Sequence, residues 1–168
     1  MDIRFGIITV SDRSYRGERP DQSGPALVEA IQAQGWQVVR IAVLPDDLPA
    51  LVDLLTAWAE AGDLDVLLTT GGTGFSPRDV TPEATQAAIE RPAPGLAEAM
   101  RSASLQKTPH AMLSRAMAGI RKRTLIINLP GSPGGAVENL QVVLPVLPHA
   151  VQLLREDHGS EAGHKKTP

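Results

Sequence analysis

The segment Thr69-Thr70-Gly71-Gly72-Thr73-Gly74 places three glycines in four positions. It completes and follows an apolar run at 66–70, which sets it at the carboxyl end of a strand, where open α/β sheets bind ligands. A loop stripped of side chains lets backbone N–H groups approach an anion and adopts dihedrals that residues with a Cβ avoid. Phosphate binding is the chemistry this favours, with a tight turn as the competing reading. The usual phosphate loops do not fit, because no Gly-Lys-Ser/Thr follows and the third glycine of a dinucleotide fingerprint is missing.

The chain continues Phe75-Ser76-Pro77-Arg78-Asp79-Val80-Thr81-Pro82. Arg78 and Asp79 thus stand between the glycine loop and a helix start, where a cation suits a phosphate and a carboxylate suits a metal. A surface ion pair that orders the loop is the alternative. Asp46 follows the run at 38–44 and, if the strands are parallel, emerges on the same edge as the glycines. Asp47 is an equal candidate on position alone, and either can cap the next helix. Two further loops leave strands on that edge, Ser11-Asp12-Arg13 and Pro130-Gly131-Ser132-Pro133-Gly134-Gly135. Each has an ordinary reading as turn chemistry; four converging loops make the case for a cleft. Ser114-Arg115 ranks below them, as a pair more often solvated than functional. The four histidines lack metal-ligand spacing, and Trp36 and Trp58 read as partial core.

The elements that must hold these loops are strands at 5–10, 38–44, 66–70 and 125–129, written as short β-branched runs of the kind covered on both faces by helices. Helical spacing occupies 26–34 and 48–61 between them. Thr81 caps a helix that starts at Pro82, and Pro92-Ala93-Pro94-Gly95 separates it from a second helix over 96–104. The turn Arg121-Lys122-Arg123 joins 116–120 to 125–129 as a hairpin. Helices at 137–144 and 146–154 break at Pro145. The fold expected is a three-layer α/β/α sandwich with a mostly parallel central sheet and an antiparallel hairpin. One domain over 1–155 precedes a polar tail at 156–168, expected to be disordered.

A chain of 168 residues, 42% hydrophobic and 21% charged, can bury a sizeable core. A net charge of −3 offers no basic field for nucleic acid or an anionic membrane. The absence of cysteine excludes disulfides, thiolate metal ligands and a cysteine nucleophile. No basic and apolar leader opens the chain, and no run reaches the roughly 18 apolar residues of a membrane span. A cytoplasmic location is expected.

Taken in order, several motifs resemble those of the MogA/MoaB family, including the G domains of gephyrin and of the plant molybdenum-cofactor proteins. They are Thr-Val-Ser-Asp-Arg at 9–13, Asp21-Gln22-Ser23-Gly24-Pro25, Leu44-Pro45-Asp46, the glycine loop at 69–74, Pro-Arg-Asp-Val-Thr-Pro-Glu-Ala-Thr at 77–85, Leu113-Ser114-Arg115, and Asn128-Leu129-Pro130-Gly131-Ser132-Pro133. The resemblance covers about 3–155. The form of the 77–85 motif is similar to that of molybdopterin adenylyltransferases.

The resemblance implies a reaction of molybdopterin with Mg-ATP to give adenylyl-molybdopterin and pyrophosphate, a homotrimer, and a molybdenum insertase as downstream partner. It also selects Asp46 over Asp47, because Asp46 and Asp79 match the family's two catalytic carboxylates, expected to hold Mg2+ directly or through water. Ser11, Asp12, Thr70, Gly71, Gly72, Thr73, Gly74, Arg78, Ser114, Pro130, Gly131, Ser132 and Pro133 are the residues expected around nucleotide and pterin. Arg78 and the loop N–H groups would stabilise charge moving to pyrophosphate. A catalytically silent molybdopterin-binding or trimeric scaffold is the alternative, and an enzyme acting on another phosphorylated metabolite a more distant one.

Overall fold

Apolar residues alternate along the strands so that each presents two faces, and each face meets its own helices. In the computed structural model, which describes residues 1–156, the strands are β1 (Arg4–Val10), β2 (Gln37–Leu44), β3 (Val66–Thr70), β4 (Arg91–Pro92), β5 (Ala118–Arg121) and β6 (Thr124–Leu129). The helices are α1 (Asp12–Tyr15), α2 (Ser23–Gln32), α3 (Leu48–Glu60), α4 (Thr81–Ala88), α5 (Pro94–Leu105), α6 (Pro133–Val143) and α7 (Leu147–Arg155). Phe5 and Ile7 of β1, Val66 and Leu68 of β3, and Leu125 and Ile127 of β6 pack against α2, α5, α6 and α7. The intervening Ile8, Val10, Leu67 and Ile126 pack against α3 and α4. The three layers follow from that parity.

The six strands lie in the order β2-β1-β3-β6-β5-β4. β2, β1, β3 and β6 are parallel, whereas β5 runs antiparallel to both β6 and β4. The ends of β1, β2, β3 and β6 therefore share one edge. The chain passes outward from β1 to β2 and then returns to β3 on the other side of β1, which opens the crevice expected where strand order reverses.

The four principal strands and the hairpin stand where the sequence puts them, to within a residue or two. Three details differ. β2 is an outer strand, so Val39 and Ile41 are exposed rather than covered on both faces. Thr81 is the first residue of α4, not its cap, because its hydroxyl donates to the carbonyl of Gly71 at 2.8 Å. Arg91–Pro92, within the stretch read as an interruption, forms a short strand on β5. Pro145 does break the last helices, inside a 3-10 turn at Leu144–Val146. The expected tail at 156–168 lies outside the described residues except for Glu156, which closes α7 with φ 60°.

Candidate active site

The glycine loop turns sharply because β3 must end against β1 and β6 at once. Gly71 has φ +104°, and a Cβ there would lie 2.3 Å from the Val10 carbonyl oxygen. Gly72 has φ +67°, and its Cβ would lie 2.4 Å from Thr81 Oγ1 and 3.1 Å from Asp46 Oδ1. Both positions therefore require glycine. The Gly71 N–H donates to the Leu129 carbonyl at 3.1 Å, and the Thr81 N–H to the Gly72 carbonyl at 3.1 Å. The loop is thus pinned between β6 and α4. The N–H groups of Gly72 and Thr73 have no protein acceptor among the described residues.

Three carboxylates surround this loop. Asp12 and Asp46 are paired reciprocally: the Asp12 N–H donates to Asp46 Oδ2 and the Asp46 N–H to Asp12 Oδ1, each at 3.0 Å. Asp79 Oδ2 accepts from Gly74 N–H at 3.0 Å and Ser76 N–H at 3.1 Å. Asp46 and Asp79 each keep an Oδ1 with no hydrogen-bond donor among the described residues. Burial raises the pKa of Asp46, and the charges of Asp12 and Asp79 push the same way against the opposing Asp12 N–H and Arg78. The Asp12 carboxyl is held below its usual range, chiefly by Arg78. Among the described residues no three acidic, His or Cys side chains are grouped to cage a metal. Two open carboxylate oxygens instead suit a divalent cation whose other ligands are water and phosphate, the habit of Mg2+.

Around the carboxylates opens a cleft of about 700 Å3, lined by Ser11, Asp12, Asp46, Thr70, Gly71, Gly72, Arg78, Asp79, Gly131, Ser132 and Pro133 among others. Arg78 is committed elsewhere than expected: Nε and Nη2 donate to Asp12 at 3.0 Å each, across the mouth of the cleft, with 64% of the side chain exposed. Arg13 and Arg19 also line the cleft and make no ion pair among the described residues. Behind the glycine loop lies a second pocket of about 320 Å3, to which Thr73, Gly74, Ser114 and Pro130 belong. Ser132 borders both, and Thr70 Oγ1 donates to the Pro130 carbonyl at 2.6 Å in the wall between them. Pro133 is not in a loop, because Ser132 caps α6 by accepting from Gly135 N–H at 3.2 Å and Pro133 is that helix's first residue.

Asp47 caps α3 through Ala50 N–H, which leaves Asp46 facing the cleft. Asp21 and Asn128, given no role from sequence, and Arg115, ranked there below the loops as a cleft residue, stand close to the site. Asp21 accepts from the Thr9 hydroxyl at 2.8 Å and from Gly24 N–H at 3.1 Å, fixing the start of α2 against β1. The buried Asn128 donates to Thr69 and Thr85 hydroxyls at 2.9 and 2.8 Å beneath the glycine loop. Arg115 reaches that loop from the chain before β5. The signals in the sequence were an Asp two residues before Ser23 and an amide inside an apolar strand; neither carries chemistry until the partners are known.

Known proteins share this arrangement of strands and loops. A family described as "Probable molybdopterin binding domain" matches residues 6–149. Gephyrin of Dictyostelium discoideum is 46% identical over 159 residues, covering 89% of this chain and 22% of gephyrin, so the chain spans about a fifth of that relative's length. A molybdopterin adenylyltransferase of Helicobacter pylori is 38% identical over 154 residues, covering 90% of this chain and 88% of the enzyme. Among solved structures, the molybdopterin biosynthesis enzyme MoaB from Thermus thermophilus is 51% identical with a TM-score of 0.87, covering 92% of this chain and 98% of its own.

Proposed function

Because this chain belongs to the family of molybdopterin-binding domains, we propose that it is a molybdopterin adenylyltransferase, converting molybdopterin and Mg-ATP to adenylyl-molybdopterin and pyrophosphate. The observation that carries the reading is the pair Asp46 and Asp79, set around a glycine loop at the carboxyl edge of the parallel sheet, each anchored through one oxygen and open through the other. The similarity to the Helicobacter pylori enzyme over nearly its full length supports it.

In this reading a terminal phosphate oxygen of molybdopterin attacks the α-phosphorus of ATP. The new P–O bond forms as the α–β bridging bond breaks, its electron pair leaving with pyrophosphate. A phosphate monoester has a second pKa of about 6, so the attacking oxygen is largely ionised at neutral pH and needs no strong base. The difficulty is bringing two polyanions together. Asp46 and Asp79 would hold Mg2+, directly or through water, and the ion would supply neutralisation of the ATP phosphates. The free N–H groups of Gly72 and Thr73 donate to phosphate oxygens without reorganisation. Arg13 and Arg19, which line the cleft together with Arg78, supply positive charge for the departing pyrophosphate. The start of α6 at Ser132 adds the positive end of a helix dipole.

The second pocket takes the pterin. Its apolar lining of Ala97, Met100, Leu113 and Ala116, with Ser104, Ser114 and Asn139 supplying polar atoms, suits a flat heterocycle that must be oriented by a few hydrogen bonds. A homotrimer, a cytoplasmic location and hand-over to a molybdenum insertase complete the proposal, on the strength of the family resemblance. Among the described residues no helix is long and apolar enough to cross a membrane.

The test is pyrophosphate release by purified protein given molybdopterin and Mg-ATP. Release that depends on molybdopterin supports adenylyl transfer; tight molybdopterin binding with no release would replace the enzyme by a binding protein.

A further inference from the structure

Arg115 lines neither the cleft nor the second pocket, yet it holds the segment between them. Its N–H donates to the Thr73 carbonyl at 2.8 Å. Its Nε donates to the Gly74 carbonyl at 2.7 Å, its Nη2 to the Asp79 carbonyl at 2.9 Å, and its Nη1 to the Glu83 carboxylate at the start of α4. Gly74 N–H in turn donates to Asp79 Oδ2. Guanidinium, Gly74 and Asp79 thus form a closed ring that fixes both the backbone and the carboxylate of Asp79. Arg115 is itself anchored from the far side, because Arg101 Nη1 donates to the carbonyls of its two neighbours, Ser114 at 3.4 Å and Ala116 at 2.6 Å.

The ring depends on a planar fork. A guanidinium offers donors in several fixed directions at once, whereas an ammonium of similar charge is a point donor that cannot span the same acceptors in that geometry. Without the fork, the carbonyls of Gly74 and Asp79 lose their donors. Asp79 Oδ2 then still binds Gly74 and Ser76, but those contacts lie within the 74–79 segment, and the bonds that still pin the loop to the fold stop at Gly71, Gly72 and Thr73. Asp46, by contrast, is held to the first residue of α1 through its reciprocal bonds with Asp12. The Arg115 side chain therefore ties Asp79 itself to the segment before β5, beyond the pins at Gly71, Gly72 and Thr73.

We propose that Arg115 is a positioning residue for adenylyl transfer, holding Asp79 in register with Asp46 without touching substrate. This rests on the function proposed above. A misplacement of about 1 Å at a catalytic group can cost on the order of 100-fold in rate. Arg115→Gln is therefore expected to lower kcat by roughly 10- to 100-fold, with the KM for molybdopterin nearly unchanged. Arg115→Lys, which keeps the charge but not the fork, should fall between it and the native chain, and serves if the Gln variant does not fold.

The decisive experiment is a double-mutant cycle on single-turnover transfer from ATP labelled at the α-phosphorus, using Arg115→Gln, Arg115→Lys and Asp79→Asn. If Arg115 acts through Asp79, adding either Arg115 substitution to Asp79→Asn changes the residual rate by less than about twofold. Effects that multiply in the double variants, or native rates in both Arg115 variants, overturn the inference while leaving the enzyme reading intact. An inactive native chain overturns the enzyme reading and, with it, this one.

Discussion

Under the proposed function, Asp46 is a residue whose chemistry comes at a cost to the fold. Burial and the neighbouring carboxylates raise its pKa above the usual 3.8, so its ionised form is less comfortable folded than unfolded. For an acid with a raised folded pKa, the destabilisation is present at neutral pH and fades as pH falls through the ordinary carboxylate range. Asp46→Asn, whose amide oxygen can still accept from Asp12 N–H, is therefore expected to melt no lower than the native protein at pH 7 and to lose adenylyl transfer. Thermal melts at pH 7 and pH 4 read this directly; a clear drop at pH 7 would mean that the carboxylate is structural. Gly72→Ala should behave in the opposite way. Its Cβ would meet the buried Thr81 hydroxyl at a φ of +67°, and Thr81 cannot swing aside without releasing Gly71. A loss of about 1–3 kcal/mol is expected in urea unfolding.

At the scale of elements, strands and hairpin were legible because period and length report burial directly. Glycines and aspartates were legible as a cluster because four strand ends share one edge. The choice between Asp46 and Asp47 was not legible from position, since both types cap helices; the family resemblance selected Asp46, and the structure agrees in giving Asp47 to Ala50 and Asp46 to the cleft. For Arg78 the sequence left a phosphate ligand and a surface ion pair both open, and it could not show that the ion-pair partner is Asp12, 66 residues away. Buried polar joints were invisible for a related reason. Asn128 sits in a fully buried strand and links β6 to Thr69 of β3 and Thr85 of α4, while its Oδ1 accepts from Met117 N–H at 3.2 Å. Replacing it by Ala strands three polar groups beneath the glycine loop. Asn128→Ala is expected to cost about 3 kcal/mol, read from the urea midpoint, with a value near zero contradicting this account of the joint.

For the whole molecule, the opposite edge of the sheet carries the electrostatic clamp. Asp65, 4% exposed in its side chain, accepts from Arg4 at the start of β1 and from Arg155 at the end of α7. Burial alone would raise its pKa, but the two arginines and the Arg4 N–H hold it at about 2 against a usual 3.8. A lowered folded pKa contributes stability that is fully present above the unfolded value and lost as pH falls through the folded one. The native chain should thus lose about 2 kcal/mol from this site between pH 4 and 2, and Asp65→Asn should show a shallower acid dependence in that window. Site chemistry and structural charge are in this way segregated to opposite ends of the strands, so this clamp can be disturbed with the Asp46–Asp79 arrangement left in place.

The most direct measurement is the fate of label from ATP carrying its tracer at the α-phosphorus, incubated with molybdopterin, Mg2+ and the native chain or its folded Asp46→Ala and Asp79→Ala variants. Label is expected to enter a molybdopterin adduct with one pyrophosphate released per transfer, and both variants are expected to lose this transfer. Label that stays in free nucleotide with the native chain, or transfer undiminished in both variants, would contradict the assignment of Asp46 and Asp79 to adenylyl transfer.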